Sequence, residues 1–387
     1  MFLQMTAKRN PALISSAVKL HQSGVIPPNT YVIDLDSLSS NVQSLSETAK
    51  EHDISLYYMT KQIGRSGFIG KIIEKNGIER AVAVDIDEAE NLTDHNCKIG
   101  NIGHLVQPGK HQWKRVLTEM QPEVITLFSY ERAVQLSQEA EKIGLKQDVI
   151  LRIVGENDLI YPGQFGGIPL ADLEGAAREI KKLPGIQITG LTNFPIMQLN
   201  TSQTDYEFTP NLNTLLKASE IFGNLGINVK QLNAPSSTSC HTIPLLKQHG
   251  ITHGEPGHAI TGTTPLHAYD ENQIEIPSMV YVSEISHMDK DHAYTIAGGY
   301  YSRSNMENVL YGNNESSILE KSTPIQKVSI ENIDYYGCVR KKQDMQVGDT
   351  AIYAFRAQIF VTRAHIAFVK GVDSQSPEVV YFQRRGM

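Results

Sequence analysis

Ser55-Leu56-Tyr57-Tyr58-Met59-Thr60-Lys61 reads as a short buried strand that stops on a lysine and runs into a turn at Gly64. A lysine at the end of a nearly apolar run is costly to bury. Desolvation disfavours its ammonium form, and the neutral amine is then a nucleophile towards a carbonyl carbon. The plain alternative is a lysine that reaches past the strand end into water. What lies further along the chain decides between them.

Working outward, apolar strand-like runs recur at 54–59, 80–86, 102–106, 123–128, 148–154, 187–194, 229–235 and 251–255. Most are separated by a helix-length amphipathic segment, such as Glu131 to Lys142 or Asn211 to Phe222. Near-continuous apolar runs bounded by helices mark parallel strands covered on both faces. Eight such units predict a (β/α)8 TIM barrel rather than an open doubly wound sheet. No glycine-rich dinucleotide fingerprint follows the first strand.

On the N-terminal side, Asn10-Pro11 supplies a helix cap and a first-turn proline, and Gly24 ends the helix. Leu13, Ile14, Ala17, Val18 and Leu20 share one face of it, so residues 1–29 are expected as a helical extension packed on the body. Tyr31 to Asp36 and the helix behind it are expected to open the barrel, which would span 30–264. After Thr263 the texture changes. Val280-Tyr281-Val282, Tyr294-Thr295-Ile296-Ala297, Val328-Ser329-Ile330, Ala351-Ile352-Tyr353 and Ile366-Ala367-Phe368-Val369 are short, β-rich and turn-separated. Residues 265–387 are therefore expected to form a C-terminal antiparallel β domain.

The totals exclude several classes. With 35 basic against 42 acidic residues the 387-residue chain carries a formal charge of −7, which argues against a nucleic-acid partner. Cys97, Cys240 and Cys338 lie far apart, in neither a disulfide framework nor a metal-type pairing, so no metal is expected and a cytoplasmic location is. Residues 1–29 hold no apolar signal-peptide core, and no uninterrupted apolar run is long enough to span a bilayer; no membrane partner is expected.

In a barrel the working face lies at the C-terminal ends of the strands. Lys61 belongs there, and so do Asn233-Ala234-Pro235-Ser236-Ser237-Thr238 and Gly254-Glu255-Pro256-Gly257-His258-Ala259, the loops after the seventh and eighth strands. Ser236 and Ser237 offer hydroxyls, and Gly257 and His258 offer backbone N–H groups that can approach a phosphate. An amine nucleophile and a phosphate cradle on one face are what pyridoxal phosphate requires. Glu255 could sit at the pyridine nitrogen and keep it protonated, which makes the ring a strong electron sink.

These motifs resemble the fold type III pyridoxal phosphate enzymes, the alanine racemases and the ornithine and diaminopimelate decarboxylases. The resemblance rests on Lys61 after a strand, Thr192-Asn193-Phe194 ending the sixth, Ser236 after the seventh and Glu255-Pro256-Gly257-His258 after the eighth. Leu151-Arg152-Ile153 and Gln164-Phe165-Gly166-Gly167-Ile168 are similar to the decarboxylases' fifth-strand region, and within the family the chain is most similar to the YhfX-type proteins. The resemblance implies an internal aldimine on Lys61, which then serves as acid and base on one face of the cofactor. It implies phosphate contacts from Ser236, Gly257 and His258, and a homodimer completed by the partner's C-terminal domain. Ala297-Gly298-Gly299-Tyr300 is similar to the racemase segment carrying the second base, which points to Tyr300.

Two departures bear on the reaction. The family's ring-stacking histidine on the sixth strand is Asn193 here, and the decarboxylase cysteine motif is reduced to Gly337-Cys338-Val339. Proton transfer at Cα, as in a racemase or epimerase acting on a small-molecule amino-acid substrate, is therefore expected ahead of decarboxylation. Arg152, Arg303 and Arg356 are candidates for the substrate carboxylate. Other classes are a non-catalytic pyridoxal phosphate carrier and a metal-dependent barrel hydrolase. The hydrolase is suggested by His241, His249, His253, His258 and His267, whose spacing matches no established ligand motif.

Overall fold

The computed structural model describes residues 1–300, 304, 306–327, 329, 331 and 333–384. It divides into two compact units. One comprises Val42–Lys61 and Arg65–Gly257; the other comprises Met1–Asn41, Gln62–Gly64 and the described residues from His258 onwards.

The first unit is a closed barrel of eight parallel strands. In chain order they are Ser55–Tyr58, Arg80–Ala83, Ile99–Ile102, Val124–Leu127, Gln147–Val154, Ile186–Thr192, Gln231–Asn233 and His253–Gly254. Each pairs with the next, and the eighth closes on the first, with His253 opposite Ser55. The strands are short and nearly all buried, as expected when helices cover one face and packed side chains fill the other. Tyr57, Met59, Val82, Val84, Val124 and Ile150 pack together as one apolar cluster.

The helices between strands begin where the chain supplies a cap. Asp85 accepts from the Glu88 N–H at 3.0 Å to start Ile86–Asp94, and Ser129 caps Tyr130–Lys142. Pro210 occupies the first turn of Pro210–Asn224, where its missing N–H costs nothing. The run expected at 102–106 is displaced. Its strand is Ile99–Ile102, and Gly103 then turns the chain at φ +86°, with the Thr126 carbonyl oxygen 2.7 Å from where a Cβ would stand.

The second unit is a mostly antiparallel sheet with the N-terminal helices against it. Strands Met279–Met288, His292–Ile296, Asn308–Gly312, Ser322–Pro324, Tyr336–Arg340, Thr350–Tyr353, His365–Lys370 and Glu378–Gln383 build it. Asn10 caps helix Pro11–Gln22 by accepting from the Leu13 N–H at 3.1 Å. Leu13, Ile14, Ala17 and Val18 of that helix share a core with Val280, Val282, Ile352 and Val369. Val328 and Ile330 lie outside the described residues.

Strand Thr30–Asp34, expected to open the barrel, is hydrogen-bonded into this second sheet instead. It runs antiparallel to Met279–Val282 and parallel to His365–Val369. All five of its residues are buried, a pattern that suits the interior of either sheet, so the local sequence does not say which one it joins.

Candidate active site

The C-terminal ends of the barrel strands gather Lys61, Glu88, Asn101, His104, Arg152, Asn193, Asn233, Ser236 and Glu255. Lys61 follows the first strand and is half-buried. Burial raises the carboxyl pKa of Glu255 and Glu88 and disfavours the protonated His104 ring; the charge of Lys61 opposes the rise at both carboxyls and adds to the effect on His104. Glu88 is fully buried beside this turn. It accepts from Thr60 Oγ1 at 2.6 Å and from the Val84 N–H at 2.9 Å, which anchors the residue before the lysine.

Glu255 directly follows the eighth strand, with its side chain wholly excluded from solvent. Its two oxygens differ. Oε1 accepts from Asn233 Nδ2 at 2.7 Å and from Asn101 Nδ2 at 3.3 Å. Asn101 is oriented for this by Thr126 Oγ1, which donates to its Oδ1 at 2.8 Å. Oε2 has no hydrogen-bond donor among the described residues; His104 Nε2 stands 3.4 Å from it. Burial pushes the Glu255 carboxyl up to about 7, against the pull of the two amides and Lys61. A buried carboxylate oxygen left without a donor costs on the order of 1–3 kcal/mol, so this atom marks where a ligand donor would fit.

Arg152, on the fifth strand, is a second such group. It is 1% exposed, yet among the described residues Nε and Nη1 have no acceptor, and only Nη2 is engaged, donating to the Gln164 carbonyl at 2.8 Å. Its guanidinium packs over the Phe128 ring at 4.9 Å, and burial brings its pKa down to about 10. It remains a cation at neutral pH with two donors to offer an anion.

The other expected residues divide. Asn193 is buried and engaged by its own loop: Nδ2 donates to Asp158 Oδ2 at 2.7 Å and to the Asn211 carbonyl at 3.3 Å, while Oδ1 accepts from the Phe194 N–H and Asn211 Nδ2. The next ring along, Phe194, stands edge-on to both His104 and Tyr161. Ser236 Oγ donates to the Met197 carbonyl at 2.6 Å, and Ser237 is half-buried at φ +47° in the same loop. Gly257 ends the barrel unit. His258 belongs to the other unit, where its ring lies between Thr263 Oγ1 and Gln358 Nε2.

Tyr300 and Arg356 are also in the second unit, and Arg303 lies outside the described residues. The Tyr300 hydroxyl meets Thr295 Oγ1 at 3.1 Å, within a cluster of Tyr281, Tyr300 and Tyr353 rings. Burial holds that phenol well above its ordinary pKa. Cys338 lies on strand Tyr336–Arg340, its thiol donating to Gln326 Oε1. The remaining histidines have separate partners: His241 pairs with Asp205, His249 packs on Phe208, His253 meets Thr252, and His267 faces Glu275.

His104, Asn101 and Glu88 were not foreseen. The only signal for His104 was a polar residue directly after a glycine inside a run read as strand.

Two family models match this chain: the alanine racemase N-terminal domain over residues 33–265, and the YhfX-like C-terminal domain over residues 280–379. The uncharacterized protein YhfX of Escherichia coli (strain K12) is 38% identical over 380 residues, covering 98% of this chain and 97% of its own. Among solved structures, an alanine racemase of Clostridium difficile 630 in complex with cycloserine superposes with a TM-score of 0.69 at 16% identity, covering 93% of this chain and 99% of that one. D-threo-3-hydroxyaspartate dehydratase from Delftia sp. HT23 gives 0.68 at 15% identity, covering 94% and 98%. D-threonine aldolase from Filomicrobium marinum gives 0.63 at 12%, covering 93% and 95%. These structures share the fold.

Proposed function

The chain belongs to the alanine racemase family, with a YhfX-like C-terminal domain, and from that premise we propose a pyridoxal phosphate-dependent enzyme acting at the Cα of an amino acid, as a racemase or epimerase. The barrel of this family holds pyridoxal phosphate. The residues present fit that group. The observation that carries the reading is Glu255 Oε2, a solvent-excluded carboxylate oxygen without a donor among the described residues, at the same strand ends as Lys61. A ring N–H is the donor it lacks. When bound, the cofactor supplies an electron sink that makes the substrate Cα–H acidic.

Each residue then has a task. Lys61 Nζ would hold the cofactor and would carry a proton to and from one face of Cα, a second group serving the other face. Glu255 Oε2 would accept from the ring N–H, with Oε1 fixed by Asn233 and Asn101 so that the carboxylate does not rotate. Glu88 and Thr60 set the backbone from which Lys61 projects. Arg152 offers Nε and Nη1 to the substrate carboxylate. The loop of Ser236 and Ser237, together with Gly257 and His258, is assigned to the phosphate. With Ser236 Oγ engaged by Met197, that loop contributes through backbone N–H groups and Ser237. Homodimer formation and a cytoplasmic location are part of the same proposal.

The test is direct. Protein loaded with pyridoxal phosphate should be yellow, and borohydride should fix the cofactor to the peptide containing Lys61; Lys61→Ala should show neither. With amino acids in deuterated water, the expected result is deuterium at Cα with the carboxylate retained. An amine product in place of it would replace racemisation by decarboxylation. A colourless wild-type protein that cannot be labelled would end the proposal.

A further inference from the structure

Among the strand-end residues gathered above, His104 is left without a task by this scheme, and resting on that scheme we propose that it is a positioning residue for Glu255: its ring, with the Nε2 side turned to Oε2, orients that oxygen for the ring nitrogen of pyridoxal phosphate. The ring is 1% exposed and lies edge-on to Phe194 at 5.8 Å between centroids, so packing fixes its plane. Nε2 is 3.4 Å from Glu255 Oε2, and Nδ1 has no partner among the described residues.

The tautomer follows from those contacts. A protonated imidazolium is disfavoured by burial first, then by the charges of Arg152 and Lys61. Of the two neutral forms, a proton on Nδ1 would leave a buried donor unpaired and turn the Nε2 lone pair onto a carboxylate oxygen. A proton on Nε2 lies on the side of the ring that faces that oxygen instead. The charged and titratable groups acting on this pair are Lys61 and Arg152, with the amides of Asn101 and Asn233 on Oε1. At 3.4 Å the Nε2–Oε2 approach is longer than an ordinary N–H···O bond, so the ring guides the carboxylate and leaves room for a second donor at Oε2.

The consequence is specific to the ring nitrogen. His104 aims Glu255 Oε2, and a well-placed acceptor is what a protonated pyridine needs. A cofactor analogue with C–H in place of the ring nitrogen has no use for it. Cofactor-free wild type, His104→Phe and His104→Gln are compared by equilibrium dialysis with pyridoxal phosphate and with that carbocyclic analogue. Phenylalanine keeps the contact with Phe194 but removes the donor. It should weaken pyridoxal phosphate binding about threefold to fivefold, less than the roughly tenfold worth of a full hydrogen bond to a charged group, and leave the analogue's affinity unchanged. Glutamine restores an N–H donor and should recover most of the loss.

Equal weakening of both ligands, or of neither, would overturn the assignment and leave His104 a packing residue. Failure of wild type to bind pyridoxal phosphate at all would instead strike the functional reading on which this rests. Should His104→Phe not fold, nitrogen-15 NMR of the wild-type histidine decides: an Nε2–H ring is expected, and an Nδ1–H ring or an imidazolium refutes it.

Discussion

Two buried polar clusters in this chain, one in each unit, are built to opposite rules. In the β unit, Tyr31, Tyr281, Tyr300 and Tyr353 crowd together with every hydroxyl answered: Gly299 accepts from Tyr31, Asn29 from Tyr281, and Thr295 meets both Tyr300 and Tyr353. In the barrel, Glu255 Oε2, Arg152 Nε and Nη1, and His104 Nδ1 are equally dry and have no hydrogen-bond partner among the described residues. Folding does not ordinarily leave several polar groups in that state within one small region. The tyrosine cluster is complete as a structure, and the barrel cluster keeps donors and acceptors for the ligand proposed above. The contrast supports the proposed site more firmly than any single residue does.

The comparison makes a prediction that can fail: neutralising a group in the barrel should stabilise the ligand-free protein, whereas removing one from the tyrosine cluster should weaken it. The largest effect is expected at Glu255. Its carboxyl ionises at 4.5 when unperturbed and at about 7 in the fold, a difference worth about 3 kcal/mol. Because the folded value is the higher, the folded state binds more protons across that interval. The stability linked to this proton is full below pH 4.5 and lost as pH rises through about 7. Urea unfolding of cofactor-free Glu255→Gln should therefore match wild type near pH 4 and exceed it by up to about 3 kcal/mol at pH 8. A difference that does not change with pH would show that Glu255 is not the strained group described here. Loss of turnover should accompany the gain.

Arg152→Met comes next. The substitution removes a buried cation that has one hydrogen bond and a ring contact to show for three nitrogens. Replacing such a group by an apolar side chain of similar length should raise stability by about 1 kcal/mol while raising KM for the amino acid at least roughly tenfold. A variant less stable than wild type would mean that the bond to Gln164 outweighs the desolvation.

How much of this was legible in the chain depended on whether a residue's role is set locally. Lys61 and Glu255 each end an apolar run just before a turn, so their exposure to the barrel mouth could be read from the runs alone. The Asn10 cap and the Pro210 start are local in the same sense. His104 was hidden because Ile102 to Val106 looks like one continuous strand, whereas the strand stops at Ile102 and Gly103 turns the histidine inwards. Asn101 was hidden for the converse reason. It lies within a fully buried strand, and its purpose appears only when Glu255, 154 positions later, meets it. Thr30–Asp34 shows the same limit at the level of topology, since five buried residues fit either sheet and pairing with 279–282 and 365–369 is a long-range outcome. The amide of Asn193 was legible as a departure, but its engagement by Asp158 and Asn211 was not.

The smallest expected effect separates the two clusters most cleanly. Tyr300 aligns with the segment expected to carry a second base, yet its hydroxyl is engaged by Thr295 and its proton is held well above the ordinary phenol range by burial. A base must release its proton near the working pH, and this environment does the reverse. Tyr300→Phe should therefore destabilise the protein by about 1 kcal/mol, the worth of one hydrogen bond between neutral groups, and alter turnover by less than roughly threefold. The pH profile of kcat should keep its shape. If turnover instead fell by two orders of magnitude or more with stability unchanged, the tyrosine cluster would contain a working acid, and a full set of hydrogen bonds would no longer distinguish scaffold from site in this molecule.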